Sequence, residues 1–186
     1  MKALKYLVFV CPLLFFSCDA IEDLLEEEID IETTFITELE INVPNGPTPE
    51  TAMDFQSNTG FWDFRQDPNV MEYLGDADEI TGIRINSVRY FYKDFEGNSN
   101  AFVEGDIIIA VGQAGEEFET QITNISQADF NNTLFTLDGD FSNVNDALTQ
   151  FKAIAFNYSG SVSDNPARFI TDVTINCTVT IKPEVL

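Results

Sequence analysis

The stretch Val173-Thr174-Ile175-Asn176-Cys177-Thr178-Val179-Thr180-Ile181 has an apolar residue at every odd position and a polar one at every even position. Successive side chains point to opposite faces of a strand, so this period of two reads as a half-buried β-strand. It places Cys177 on the buried face, where a free thiol behaves as a small hydrophobe. Thr33 to Val43 repeats the pattern. Phe35, Thr37, Leu39, Ile41 and Val43 share one face, and Ile36, Glu38, Glu40 and Asn42 share the other.

Further segments follow the same logic. Thr51 to Phe55, Val103 to Gly112, Phe118 to Ile125, Leu134 to Leu137, Ala153 to Tyr158 and Ala167 to Lys182 are predicted strands. Ile80 to Lys93 is a longer one with a phase change: Ile83 and Ile85 are odd, whereas Val88, Tyr90 and Tyr92 are even. Both sets can face inward only if one extra residue is accommodated near Asn86-Ser87, which a β-bulge does. Glu96 to Asn100 reads as a hairpin turn, and Pro44 to Pro49 as a loop.

Two short helices interrupt the strands. Asp67-Pro68 supplies a cap and a proline for the first helical position, and Val70, Met71 and Leu74 follow over two turns. Ser142 is the expected cap of Asn143 to Phe151, whose Val144, Ala147, Leu148 and Phe151 form one apolar stripe. Together these elements predict an all-β fold: an antiparallel β-sandwich of Ig-like or Greek-key type, with seven or eight strands and two short helices. It would occupy residues 33–186 as a single domain, with no internal repeat.

The front of the chain reads as an address. Met1 to Lys5 is a positive n-region, and Tyr6 to Phe16 an apolar run too short to cross a bilayer as a helix, which needs about 20 residues. This is the pattern of a signal peptide, residues 1–17. Ser17 precedes Cys18 as the small residue of a bacterial lipobox precedes its lipidated cysteine; cleavage after Ala20 is the alternative. Residues 18–32 would then be the lipidated cysteine and an acidic tether, whose Ile21, Leu24, Leu25 and Ile29 also fit a short amphipathic helix. Acyl chains on Cys18 would hold the protein to one leaflet at about 0.8 kcal/mol per buried CH₂.

Formal charge is −23, with 32 acidic and 9 basic residues. Such a polyanion has no electrostatic footprint for nucleic acid. The chain has no histidine, which removes Ser-His-Asp and Cys-His catalysis and the usual imidazole metal sites. No phosphate-binding glycine loop appears. Among 32 acids no pair stands out as a glycosidase pair, so the reading is non-enzymatic.

Two kinds of site remain. Phe61-Trp62-Asp63-Phe64-Arg65 holds the single tryptophan in an expected loop. Trp62 could stack on a sugar while Asp63 and Arg65 bond its hydroxyls; the alternative is that these aromatics close the end of the core. Asp76, Asp78 and Glu79 are the leading oxygen cluster for calcium, ahead of Asp138 and Asp140, with a solvated turn as the simpler explanation. Asp94 to Asn100 also alternates oxygen side chains, but a plain turn explains it better. Phe91 is expected either on an outward partner surface or under the second helix.

FFSC at 15–18, followed at once by Asp19, Glu22 and Asp23, resembles the start of outer-membrane lipoproteins of the Bacteroidota. The β-rich remainder, ending in TDVTINCTVTIKP, is similar to small lipoproteins of that group. The resemblance implies an outer-membrane location, a lipid anchor, acids that act as a surface-export signal, and no catalytic residues. The expected function is an interaction module, for instance an accessory subunit of an outer-membrane complex, with no cofactor beyond the covalent lipid. The alternative is a surface binder of glycan or another ligand through the Trp62 region.

Overall fold

The computed structural model describes residues 28–75 and 79–182. Cys18, the expected tether helix as far as Leu25, and the acids at 76 and 78 lie outside them; Ile29, its last apolar position, is in a strand instead, and so is the end of the tether to Glu32. Among the described residues, ten strands form two antiparallel sheets packed face to face, with three short α-helices. The sandwich expected from the period of two is therefore observed.

The long sheet holds β1 (Ile29–Val43), β10 (Ala167–Lys182), β4 (Glu79–Glu96) and the two-residue β8 (Phe135–Thr136), in that spatial order. The other sheet holds β2 (Met53–Gln56), β9 (Ala153–Val162), β5 (Phe102–Val111) and β6 (Ala114–Glu119). In addition β3 (Gly60–Asp63) lies along β9, and β7 (Thr123–Asn124) along β5. β1 starts at Ile29, four residues before the expected start, because Ile29 to Glu32 continue the ladder against Ile181 to Thr178.

Inward residues of both sheets make the core. Leu39, Tyr92, Val173 and Ile175 from the long sheet, and Ile107, Ile109, Phe156 and Tyr158 from the other, are all fully buried. Each such apolar side chain contributes about 1.5–3 kcal/mol by leaving water. Cys177 lies among them.

The phase change in β4 is resolved as anticipated. Ser87 pairs with Asn176 and Ile85 with Cys177, so Asn86 is the extra residue. Register also shifts near Thr81 and again near Asp94, which adopts a positive φ of 54°. All three irregularities fall on β4, while β1 pairs with β10 without interruption.

Four expectations are corrected. Glu96 to Asn100 is no hairpin: β4 and β5 lie in different sheets, and the turn carries the chain between them. Phe118 to Ile125 is not one strand. β6 ends at Glu119, and Asn124 caps a helix, α2 (Ile125–Phe130), by accepting from the Gln127 N–H at 2.8 Å. The helix at Asp67-Pro68, α1 (Pro68–Met71), has one turn instead of two. Ser142 lies inside the last helix, α3 (Ser142–Phe151), and donates its N–H to Asp140 Oδ1 at 2.9 Å instead of capping.

A polar thread crosses the core. Tyr92 Oη from the long sheet lies 3.0 Å from Tyr158 Oη of the other, and Tyr158 Oη lies 3.0 Å from Thr120 Oγ1. Thr120 Oγ1 in turn donates to the Gly105 carbonyl at 2.8 Å. Gly105 faces Gly160 across β5 and β9, and a Cβ on either would collide with backbone of the opposite strand. Desolvation raises both phenols, Tyr158 to about 12.

Candidate functional site

β3 pairs with β9, and alternation along it turns Trp62 inward and Phe61 out. Trp62 is 6 % exposed, stacked on Phe35 at 4.9 Å and packed on Phe64 at 4.0 Å. The expected sugar platform is thus part of the core, and the alternative reading of these aromatics holds for Trp62 and Phe64. It fails for Phe61, which is 63 % exposed.

Asp63 and Arg65 satisfy each other. Arg65 donates from Nε at 2.9 Å and from Nη2 at 2.8 Å to the Asp63 carboxylate. The Arg65 guanidinium holds the Asp63 carboxyl below its usual range. The Asp63 carboxylate is taken up by Arg65, whose side chain stays 56 % exposed. Of the proposed calcium ligands, Asp76 and Asp78 lie outside the described residues. Glu79 is exposed at the start of β4, opposite Lys182. Among the described residues no three carboxylates or thiols converge in a metal-binding group, and no helix is long and apolar enough to cross a membrane.

Polar chemistry concentrates on the outer face of the long sheet. Glu32 accepts from Thr178 Oγ1 at 2.7 Å and from Asn86 Nδ2 at 3.0 Å. Asn86, the bulge residue, also accepts from Arg84 Nε at 3.2 Å. Thr180 donates to Asp30 at 2.7 Å, and Thr34 to Asn176 at 2.8 Å. Further along, Lys93 bridges Glu38 at 2.6 Å and Asp172 at 2.8 Å. Those two carboxylates, Asp172 first, raise the Lys93 pKa. Phe91 is half-buried on this outward face with the Lys93 ammonium 5.7 Å from its ring. A groove of about 370 Å³ runs between this face and α3, lined by Asp30, Arg84, Asn145, Thr149, Thr178 and Thr180 among others.

The two edges of this sheet differ. Along β4 other elements bond the outward backbone at successive points: the Ile83 N–H donates to Thr149 Oγ1 at 3.2 Å and the Ile85 N–H to Asn145 Oδ1 at 2.9 Å, both from α3. Next comes β8 against Arg89 and Tyr90, then Asp129 of α2 accepting from the Phe95 N–H at 2.9 Å. Along β1 the described residues bond the outward backbone at one end, where Asn58 accepts from the Glu40 N–H and donates to the Glu38 carbonyl. Those two bonds show that even-numbered residues of β1 direct their backbone away from β10. By alternation so do Asp30, Glu32, Thr34 and Ile36, and no described residue bonds their outward backbone groups. All four are exposed.

Reading the sequence missed this edge and the Glu32–Thr178–Asn86–Arg84 chain. The one available signal was the bulge, which marks where Asn86 reaches out of the ladder. It also missed that Asp67, besides capping α1 from 2.9 Å (Asn69 N–H) and 3.2 Å (Val70 N–H), accepts from Thr33 Oγ1 of β1 at 3.1 Å.

No protein-family model and no curated protein matches the chain. Among solved structures it is similar to a chain of Desmodium yellow mottle tymovirus, at 8% identity and a TM-score of 0.33, covering 83% of this chain and 85% of that one. A chain from a cryo-EM structure of mud crab dicistrovirus gives 10% identity and a TM-score of 0.31, over 83% and 72%. Overlaps this loose carry nothing about function.

Proposed function

We propose that this protein is a lipid-anchored component of the cell envelope that acts as a non-catalytic interaction module, in the manner of an accessory subunit of an outer-membrane complex. The anchor is a lipid on Cys18, and the place is the outer membrane, as the resemblance of FFSC and its following acids implies. The observation that carries the reading is the contrast within the long sheet: the polar side chains of its outer face bond one another from Asp30 to Thr180 and from Glu38 to Asp172, while no described residue bonds the outward backbone of β1 from Asp30 to Ile36. That is the arrangement of a surface that meets another protein. Trp62, being buried, offers a glycan no stacking face.

Fractionation tests the anchor. Cys18→Ala should move the protein from the membrane to the soluble fraction, and continued tight association in that variant refutes lipid anchoring. Pull-down of the native lipidated protein in mild detergent tests the module. A stoichiometric envelope protein is the expected finding, and recovery of the lipoprotein alone counts against it.

A further inference from the structure

We propose that the open edge of β1, from Asp30 to Ile36, takes up a basic extended strand of a partner protein and so adds a fifth strand to the long sheet. The proposal rests on reading the chain as an interaction module and names the partner's chemistry. Outward N–H and C=O groups in a row form a template for strand addition, with side-chain pockets setting the choice of partner. β1 is long, unbulged and regularly paired on its other side, so its open edge is geometrically sound.

Charge decides what can dock. A residue directly opposite an even position of β1 shares the outer face with it, next to Asp30, Glu32 or Ile36. Asp30 and Glu32 are bonded only by neutral donors, and among the described residues neither has an ion pair. An incoming lysine or arginine there meets an unmatched carboxylate. Opposite Ile36, which is 60 % exposed, an apolar residue fits. A second copy of this chain brings no Lys or Arg on the even positions of its own β1, so it leaves these carboxylates unmatched. Antiparallel pairing of two β1 edges about Ile36 sets Glu32 against Glu40, and pairing about Phe35 sets Glu32 against Glu38 and Asp30 against Glu40. Like charges opposite one another destabilise a ladder.

The test uses the full chain and a capped decapeptide alternating lysine and valine. Saturating peptide should slow amide hydrogen exchange at Glu32, Thr34 and Ile36 without changing the Ile83 and Ile85 amides. Thr34→Pro removes one outward donor and should weaken binding about tenfold, the effect of a lost ladder bond. Should that variant fold poorly, the Asp30→Lys, Glu32→Lys pair gives an independent reading: it should lose the lysine peptide and gain a glutamate–valine one. Three outcomes overturn the proposal: no slowing at those amides, equal binding by Thr34→Pro, or equal binding of a lysine–proline peptide, which has the charge but cannot form a ladder. Each leaves the anchoring experiment on Cys18 untouched, and a partner that binds elsewhere would preserve the module while removing this edge.

Discussion

The two edges of the long sheet solve one problem in opposite ways. β4 carries the bulges, and its outward backbone is occupied piece by piece by Thr149 and Asn145 of α3, by β8, and by Asp129 of α2. β1 is regular, and between Asp30 and Ile36 its even-numbered side chains are exposed and no described residue bonds its outward backbone groups. Both are devices against unwanted strand pairing. The first occupies the edge with the protein's own groups, whereas the second repels acidic strands by charge. The contrast teaches that one edge is structural and the other selective.

The largest expected effect comes from striking β1 on its paired side. Thr37 directs its backbone toward Val173, so Thr37→Pro should cost about 3 kcal/mol or more, by removing a ladder bond and clashing locally. Chemical denaturation will read this as a lowered midpoint. Next, Asn145→Ala with Thr149→Ala strips the cover from β4 and should cost about 2 kcal/mol in all, from amides left without partners. The same variant should associate in a concentration-dependent way, visible by analytical ultracentrifugation, because it opens a second edge. An unchanged monomer would break the comparison. Asp67→Ala should cost about 1–2 kcal/mol, since α1 loses its cap and β1 its bond through Thr33. Smallest of all is Thr34→Pro, at below about 1 kcal/mol, because its N–H faces away from β10.

Alkaline titration supplies a control that ignores the edges. Burial pushes the Cys177 thiol from its ordinary 9.0 to about 12, and Tyr158 from 10.0 to about 12. The unfolded chain therefore releases these protons first. Their contribution to stability is intact below about pH 9 and is lost as pH rises toward 12. Melting temperature should fall over that window, and by similar amounts in the Thr34→Pro and unsubstituted proteins. Thiol reagents at neutral pH should leave Cys177 unmodified until the protein unfolds.

Alternation of side chains made most of the sandwich legible. The inward set of β1, the burial of Cys177 and the bulge at Asn86 all follow from counting parity, since a buried face tolerates no slip. Parity says nothing about which strand is central and which is an edge. β1 and β10 carry the same pattern, yet β10 lies between two partners and β1 has one. The turn at Glu96 to Asn100 was misread for a related reason: local turn chemistry does not say whether the next strand stays in the sheet or changes to the other. Gly60 to Asp63, the strand that holds Trp62, is only four residues long, too short for a period to distinguish it from a loop. Asn124 as a helix cap was hidden by the apolar residues on either side, which look equally well like a strand.

The measurement that tests this account most directly is native-state amide hydrogen exchange on the full chain without any peptide. We expect the amides of Glu32, Thr34 and Ile36 to exchange quickly while those of Thr33, Phe35, Ile83 and Ile85 are protected. Equal protection at even and odd residues of β1 would contradict it, because the edge would then already be covered.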